Sequence, residues 1–384
     1  MKAIELFAGI GGFRLAADRL KFDTIWANDH CPKACKVYRK NFGADSIHEG
    51  DITELLEKVP AHDLLTAGFP CQPFSSAGKK QGIKDPRGTL FSVVVDVLRK
   101  HQPAFFILEN VKRLLTMERG VHFATILASL AELNYRIEWR LLNATDFGLP
   151  QNRQRVFIVG VRLSTNCHTA SDAVRLASAT DLSTRTVRAG LIHSPELWPE
   201  ISSHGSKFPN WGLAVAGRFC GADLNSFSEG KPPGKLHSVL QDDVSSEFDF
   251  TESTVERLKS STPVKRFVHG VEILSNQGGG ARMGYTVFGI SGLAPTLTST
   301  ASRHYERYKI GSRYRRLTNV EYARLQGFPD DHCSAVSVYD QYALYGNAVP
   351  SPMVGWVMKR ATSQGISIRR IPRKRRQQRL FADA

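Results

Sequence analysis

Hydrophobic and polar positions along the first 160 residues form two alternating patterns. In segments 90–98 and 123–130, apolar residues recur at i, i+3, i+4 and i+7, which predicts amphipathic helices that each bury one face. Short apolar runs with the length and composition of strands lie between helix-compatible segments. The predicted strands lie near residues 2–7, 24–28, 47–48, 63–68, 104–109, 136–143 and 155–161. This alternation predicts an α/β fold with a doubly wound, mostly parallel sheet.

The pattern changes after about residue 164. From there to residue 312 the chain consists of short segments rich in Ser, Gly and Pro, without regular alternation of strand and helix. Regularity returns at residues 318–321, whose sequence Thr-Asn-Val-Glu has the form of a helix capping box, and Gly327 followed by Pro329 predicts the end of that helix. The sequence therefore predicts a second, smaller domain with irregular structure.

The composition is that of a globular chain with an excess of positive charge. Hydrophobic residues make up 42% of the chain, which excludes wholesale disorder, and no run approaches the roughly 18 apolar residues of a membrane span. We therefore expect a cytoplasmic protein with no membrane partner. Lys and Arg outnumber Asp and Glu by 51 to 36, which favours a polyanionic partner such as nucleic acid over a basic surface that binds nothing. A basic tail in residues 366–384 carries only seven of these charges.

The six cysteines are scattered without the paired spacings of a disulfide framework, so we expect free thiols. Cys31 and Cys35 are close in sequence, but no second close pair of Cys or His residues completes a tetrahedral set. No metal site is therefore predicted.

Polar and glycine residues follow five of the predicted strands, at the point where each strand ends. Because the carboxyl ends of parallel strands meet at one edge of a sheet, we expect these residues to line one cleft. The glycines after the first strand allow close approach of a ligand to the backbone, and Asp29 after the second strand suits ribose hydroxyls. Arg14 occupies the third glycine position of the dinucleotide fingerprint, which disfavours NAD. Two interpretations of these glycines remain: they bind a nucleoside-containing cofactor, or they form only a tight turn between strand and helix.

Two further residues suggest covalent chemistry. Cys71 lies in a loop after a predicted strand, where helix dipoles and nearby cations lower the pKa of a thiol, so it is a candidate nucleophile. Glu109 ends an apolar strand, and burial raises the pKa of a carboxyl group as a proton donor requires. The alternatives are an inert buried cysteine and a structural carboxylate bonded to a loop.

Ordered blocks of sequence carry a resemblance to a known family. The chain resembles the DNA (cytosine-5) methyltransferases of the bacterial single-polypeptide type. The sequence blocks of that family occur here in the family's order, and the match spans most of the chain. The blocks lie at residues 7–12 (FAGIGG), 28–29 (ND), 50–52 (GDI), 68–75 (GFPCQPFS), 109–111 (ENV), 151–155 (QNRQR), 316–329 and 345–350 (YGNAVP).

The resemblance implies a Rossmann-like fold that binds S-adenosylmethionine as methyl donor. It implies that Phe7 contacts the adenine, that Asp29 binds the ribose and that Asp51 binds the adenine amino group. His30 stands where relatives often carry an aromatic residue that stacks on the adenine. The residues that the resemblance assigns to the cofactor are Phe7, Gly9, Gly11, Asp29, His30, Asp51, Ile52, Gly68 and Asn347.

The resemblance also implies a catalytic set and a DNA partner. Cys71 would add to C6 of the target cytosine, Glu109 would act on N3, and Arg155, with Arg153, would stabilise the base. The cytosine must first be extruded from double-stranded DNA, with a loop at residues 70–78 closing over it. The residues assigned to DNA contacts are Gln72, Ser75, Asn276 and Arg282.

The family organisation predicts four parts of the chain. These are a catalytic and cofactor-binding domain in residues 1–175, a β-rich target-recognition domain in 176–325, a C-terminal segment in 326–365 that returns to the catalytic domain, and the tail in 366–384. We expect a monomer that belongs to a restriction-modification system, paired functionally with a restriction endonuclease, with a related defence system or a solitary regulatory enzyme as the alternative settings. The alternatives are a tRNA cytosine-5 methyltransferase and a catalytically silent DNA-binding regulator.

Overall fold

The computed structural model describes residues 1–70, 90–163, 176, 194–225, 232–278, 285–299 and 306–362. A large sheet contains β1 (Lys2–Leu6), β2 (Asp23–Asp29), β3 (His48–Glu49), β4 (Leu64–Gly68), β5 (Phe105–Val111), β6 (Tyr135–Asn143), β7 (Gln154–Arg162), β8 (Trp211–Val215) and β9 (Arg218–Ala222). Their order across the sheet is β3-β2-β1-β4-β5-β7-β6-β8-β9. All seven strands predicted from the sequence are present, and the α/β fold class is confirmed.

The large sheet is mixed rather than mostly parallel. The neighbours β3, β2, β1, β4 and β5 are parallel, so their carboxyl ends meet at one edge. From β5 outward to β9 every pair is antiparallel. The connection between β6 and β7 spans only residues 144–153, fewer than the dozen or so that a crossover between parallel strands requires, so these two strands form an antiparallel pair.

Helices cover both faces of the sheet. The first five are α1 (Gly12–Arg19), α2 (Pro32–Phe42), α3 (Ile52–Leu55), α4 (Leu90–His101) and α5 (Val121–Ala131). Successive residues of β5 point to opposite faces: Phe106 and Leu108 pack with α4 and α5, whereas Phe105 and Ile107 pack with α1. Two hydrophobic cores therefore hold the strand ends of the sheet in fixed positions.

A second sheet has the order β10-β11-β12-β13-β14. Its strands are β10 (Thr262–Val268), β11 (Val271–Asn276), β12 (Thr286–Phe288), β13 (Arg307–Ile310) and β14 (Arg313–Arg315). The other α-helices of the described residues are α6 (Glu252–Lys259), α7 (Asn319–Gln326), α8 (Val338–Asn347) and α9 (Ser351–Thr362). The predicted capping box of α7 is confirmed, because Thr318 and Glu321 each accept a hydrogen bond from the other's backbone N–H. Among the described helices, none combines the length and apolar character needed to cross a membrane.

The large sheet includes segments from both sides of the predicted domain boundary at residue 175. Strands β8 and β9 lie beyond that boundary and extend the large sheet through β6. Helix α9 packs against α1, with Met353, Val354 and Val357 buried in the same core as Phe13. The division of the chain into four parts stays a prediction.

The buried side chain of His62 predicts a loss of stability in mild acid. His62 is 8% exposed, its Nδ1 lies 2.8 Å from the carbonyl oxygen of Pro60, and burial lowers its pKa from 6.5 to about 4. Below pH 6.5 the unfolded chain takes up a proton that the folded chain does not bind until the pH nears 4, so stability falls through this window. We expect His62 to account for a loss of about 2 kcal/mol in the free energy of unfolding between pH 7 and pH 5.

Urea unfolding at pH 7 and pH 5 tests this expectation. In His62→Phe, the free energies of unfolding at pH 7 and pH 5 should differ by about 2 kcal/mol less than they do in the parent protein. The exposed His237 provides the control. In His237→Gln, the free energies of unfolding at pH 7 and pH 5 should differ by as much as they do in the parent protein. An unchanged difference in His62→Phe would show that other groups govern the acid sensitivity.

Candidate active site

One cleft collects the carboxyl ends of β1, β2, β4 and β5 together with the end of α8. Its volume is about 380 Å³, within the range of small-molecule sites. The predicted convergence is therefore present for four of the five strand ends, and the residues that follow β3 do not line the cleft. The cleft is lined by Phe7, Ala8, Gly9, Ile10, Gly12, Phe13, Asp29, His30, Cys31, Ala34, Gly68, Phe69, Pro70, Glu109, Asn110, Val111, Arg155, Leu344, Gly346, Asn347, Ala348 and Val349.

The turn at residues 7–12, here called the glycine turn, opens its backbone to this cleft. Phe7 has a φ of +54°, a conformation that costs a bulky residue about 1–3 kcal/mol and that clusters at functional sites. A Cβ atom added to Gly9 would meet no atom within 4 Å, whereas one added to Gly11 would lie 2.4 Å from the Phe42 ring. The turn is therefore packed tightly against α2 at Gly11, while Gly9 leaves open space for a ligand.

Asp29 connects the glycine turn to the start of α2. Its Oδ2 accepts a hydrogen bond of 2.7 Å from the backbone N–H of Gly9, and its Oδ1 accepts one of 2.8 Å from the backbone N–H of Cys31. Asp29 is 8% exposed and lines the cleft, with the His30 ring on the rim beside it. Each carboxylate oxygen has a second lone pair, so the group can still accept hydrogen bonds from a ligand.

Glu109 and Arg155 form a buried ion pair on the opposite side of the cleft. The Nε of Arg155 lies 2.9 Å from Oε1 of Glu109. Burial raises the pKa of Glu109, and the positive charge of Arg155 opposes this effect without cancelling it. Gly68 of β4 lies directly across from Glu109, and a Cβ atom there would come 3.5 Å from Oε2. The carboxyl group therefore faces the strand end that leads into residue 71.

Asn110 is a site residue that the sequence analysis did not single out. Its Nδ2 donates a hydrogen bond of 2.9 Å to the carbonyl oxygen of Phe69, and its Oδ1 accepts one from the N–H of Val111. These bonds tie the end of β5 to Phe69, the residue that follows β4. In the sequence, Asn110 follows an apolar strand and belongs to the ENV block at residues 109–111, but no role is assigned to it there.

Arg153 occupies a different position from the one expected of a group that stabilises the base. It is 1% exposed, does not line the cleft, and donates hydrogen bonds to the carbonyl oxygens of Leu297, Gly346 and Ala348 at 2.8–2.9 Å. Burial lowers its pKa. Arg153 therefore holds the 346–348 segment against the cleft, and Arg155 is the arginine that faces the ligand space.

The remaining predicted residues differ in how closely they approach the cleft. Asn347 lines it from the end of α8, as expected. Asp51 accepts hydrogen bonds from the N–H and hydroxyl of Thr53, which lower its pKa, while Ile52 is buried in the core, and neither lines the cleft.

The predicted DNA contacts are represented by a single described residue. Asn276 ends β11 in the second sheet, away from the cleft lining, and accepts a hydrogen bond from the N–H of Gly278. Cys71, Gln72, Ser75 and Arg282 lie outside the described residues.

Comparisons with known proteins agree with this architecture. The sequence model of a family described as C-5 cytosine-specific DNA methylase matches residues 1–363. The type II methyltransferase M1.ScrFI of Lactococcus lactis subsp. cremoris is 33% identical over 364 residues, which cover 92% of this chain and 76% of that protein. The type II methyltransferase M.NgoBI of Neisseria gonorrhoeae is 32% identical over 355 residues, covering 92% of this chain and 90% of that protein.

Among solved structures, the S. pombe Dnmt2 methyltransferase matches with a TM-score of 0.61 at 18% identity, covering 93% of this chain and 97% of that one. At this identity the likeness supports the fold alone. The match to the family model covers nearly the whole chain, and the similar relatives are bacterial type II methyltransferases. The chain therefore belongs to the C-5 cytosine-specific DNA methylases, and its activity is that of a DNA (cytosine-5) methyltransferase.

Proposed function

We propose that this protein transfers the methyl group of S-adenosylmethionine to C5 of a cytosine that is flipped out of duplex DNA, through a transient bond between Cys71 and C6. The observation that carries the proposal is the shared cleft. It holds the glycine turn and Asp29 on one side and the Glu109–Arg155 pair on the other. A cofactor and a flipped base bound there would lie next to each other.

The cleft fits a nucleoside with a short amino acid chain. Gly9 leaves open space above the turn, and the free lone pairs of Asp29 suit the two ribose hydroxyls. His30 lies on the rim beside Asp29, where its ring can stack on the adenine. When bound, S-adenosylmethionine supplies an electrophilic methyl group. We assign cofactor contacts also to Asp51 and Ile52, which would have to approach the cleft from the start of α3.

The protein residues make cytosine reactive at C5. The thiolate of Cys71 forms a bond to C6, and the electron pair of the C5–C6 double bond moves into the ring. Glu109, with its raised pKa, donates a hydrogen bond or a proton to N3, and the guanidinium of Arg155 keeps the carboxyl group oriented. C5 then takes the methyl group, whose bond to the sulfonium sulfur breaks, so that the neutral thioether S-adenosylhomocysteine is left. Water or a side chain then takes the proton from C5, which restores the C5–C6 double bond and expels the Cys71 thiolate, while a proton given to N3 returns to Glu109.

Arg153 supports this chemistry indirectly. Its hydrogen bonds to the carbonyl oxygens of Gly346 and Ala348 hold Asn347 at the cleft. We therefore assign Arg153 as a positioning residue and keep the role at the base for Arg155.

Double-stranded DNA is the proposed substrate, and the net charge of +15 supports binding to its phosphates. Target recognition is assigned to the second sheet and its loops, including Asn276 and Arg282, and base-proximal contacts to Gln72 and Ser75. We propose a cytoplasmic monomer that methylates a specific sequence as the partner of a restriction endonuclease. No described feature favours the tRNA methyltransferase or the silent regulator.

Bisulfite sequencing of DNA from cells that express the chain tests the proposal directly. Protected cytosines should share one sequence context, and cells that express Glu109→Gln at the same level should lack them. A parallel assay with radiolabelled S-adenosylmethionine should label duplex DNA and leave tRNA unlabelled. Label in tRNA but none in DNA would overturn the proposed substrate.

Replacing Asp29 with alanine should weaken cofactor binding by about 1–3 kcal/mol, because it removes the acceptor for the ribose hydroxyls and for the Gly9 N–H. Calorimetry with S-adenosylmethionine measures the change. Asp63 is the matched control, since its carboxylate also accepts a backbone N–H, that of Lys2, but at the amino end of the strands. Asp63→Ala should bind the cofactor as the parent does. If Asp29→Ala also binds the cofactor with the affinity of the parent, Asp29 is not a cofactor-binding residue.

A further inference from the structure

A buried histidine near the C-terminal end of the chain contacts the glycine turn. His332 lies between α7 and α8 and is 1% exposed. Its Nε2 lies 2.7 Å from the carbonyl oxygen of Ile10, a residue that lines the cleft. The two residues are 322 positions apart in sequence. This contact therefore joins the C-terminal segment to the backbone of the turn.

The direction of the hydrogen bond is set by its partners. A carbonyl oxygen only accepts, so Nε2 of His332 carries the proton and donates it. Burial lowers the pKa of His332, which keeps the ring neutral at pH 7, although the hydrogen bond to Ile10 opposes this effect; Lys40 lowers the pKa further, and Asp331 raises it. The neutral ring with its proton on Nε2 and the imidazolium ion can both donate this hydrogen bond, so the bond to Ile10 does not depend on titration of the ring.

The segment that carries His332 is attached to α2. Asn41 donates a hydrogen bond of 2.8 Å to the carbonyl oxygen of His332. Lys40 binds the carbonyl and carboxylate oxygens of Asp331 and the hydroxyl of Ser334 at 2.6–3.0 Å.

Two aromatic rings confine the imidazole itself. The centroid of the Phe328 ring lies 4.8 Å from the centroid of the imidazole. The centroid of the Phe42 ring lies 6.1 Å from it, in an edge-to-face arrangement. The imidazole is thus fixed both through its own backbone and through its ring.

The glycine turn needs such external support. Three of its residues, Phe7, Gly9 and Gly11, have positive φ values, and glycine residues have more backbone freedom to lose than other residues. Val349 gives part of this support, because its backbone carbonyl oxygen packs directly against Gly12. A Cβ atom added to Gly12 would lie only 2.4 Å from that oxygen. A turn that is held in its binding shape before the ligand arrives binds more tightly, since less freedom is lost on binding.

We infer that His332 is a positioning residue that holds the Ile10 carbonyl group, and with it the glycine turn, in the shape that receives the cofactor. The inference rests on the proposed function, because it takes the cleft beside the turn as the site of S-adenosylmethionine. His332 itself does not line the cleft. It raises the affinity for the cofactor indirectly, by holding the glycine turn in its binding shape.

Two substitutions separate the hydrogen bond from the packing of the ring. His332→Phe keeps an aromatic ring between Phe42 and Phe328 but removes the donor. His332→Gln keeps an N–H at the reach of Nε2. Calorimetry with S-adenosylmethionine on the full-length protein without DNA should give about 5- to 10-fold weaker binding for His332→Phe and a value within about twofold of the parent for His332→Gln.

His62→Phe is the matched control, because His62 is also buried and also hydrogen-bonded to a backbone carbonyl oxygen, but ahead of β4 at the far end of the strands. It should lower thermal stability and leave the affinity for S-adenosylmethionine unchanged. Hydrogen exchange of the amides in residues 8–12, measured without ligand, gives a second readout. Exchange should be faster in His332→Phe than in the parent and in His62→Phe.

Each result has a defined meaning. Parent-like affinity and exchange in His332→Phe would overturn the inference. Equal weakening in His332→Phe and His332→Gln would also overturn it, since the hydrogen bond would then have no separate role. A parent protein that does not bind S-adenosylmethionine would refute the proposed function, while the exchange of the turn would still report whether His332 restrains it.

Discussion

Replacing Glu109 with glutamine is expected to lower the rate of methyl transfer at least about a hundredfold, the lower end of what general acid catalysis contributes. Glutamine keeps the size of the side chain and its oxygen can still bind Arg155, but it cannot give a proton to N3 of the cytosine. The negative charge that develops in the ring when Cys71 adds is then poorly stabilised. Single-turnover kinetics with saturating duplex DNA and cofactor measure the loss.

The control for this change is Glu132→Gln, an exposed position that follows α5. It should keep the parent rate, and both variants should bind S-adenosylmethionine as the parent does. If Glu109 acts as an acid, the parent rate falls as the pH rises through its raised pKa, and Glu109→Gln loses this dependence. Near-normal transfer by Glu109→Gln would assign the acid to another group.

The strands and the cleft could be predicted because they depend on local patterns. Each apolar run is one strand, and the polar residues after β1, β2, β4 and β5 meet because parallel strands end at one edge. The orientation of β6 to β9 could not be predicted in this way. Strand pairing is a contact between distant segments, and the sequence of β8 carries no mark of the sheet it joins.

Arg153 illustrates a limit of the family resemblance, which placed it beside Arg155 at the base. In an extended strand, residues 153 and 155 would point to the same face and both would reach the base. Strand β7 begins only at Gln154, and the chain turns just before it, where the N–H of Arg153 bonds the carbonyl oxygen of Gln151. The two guanidinium groups therefore diverge.

The hydrogen bond from His332 to Ile10 had no sequence signal at all. His332 lies in no block of the family resemblance, and its partner is a backbone carbonyl group at the other end of the chain. Contacts of this kind depend on the packing of the C-terminal segment against α2. They can be found only once the fold is known.

Replacing Cys71 with alanine should abolish methyl transfer to below about one-thousandth of the parent rate, while cofactor affinity stays unchanged. Without the bond from sulfur to C6, C5 does not become nucleophilic enough to attack the methyl group. DNA that carries 5-fluorocytosine provides a direct test, because fluorine at C5 cannot leave as a proton. Cys71 then cannot be expelled, and the covalent complex should survive denaturing electrophoresis for the parent and be absent for Cys71→Ala.

The matched control for the adduct is Cys220→Ala. Cys220 lies in β9, and burial raises the pKa of its thiol to about 12, so it has almost no thiolate at neutral pH. The covalent complex should form with Cys220→Ala as with the parent. An adduct that persists in Cys71→Ala would place the nucleophile elsewhere. Loss of the adduct in Glu109→Gln as well would show that addition at C6 requires the carboxyl group, because sulfur and acid then act in the same step.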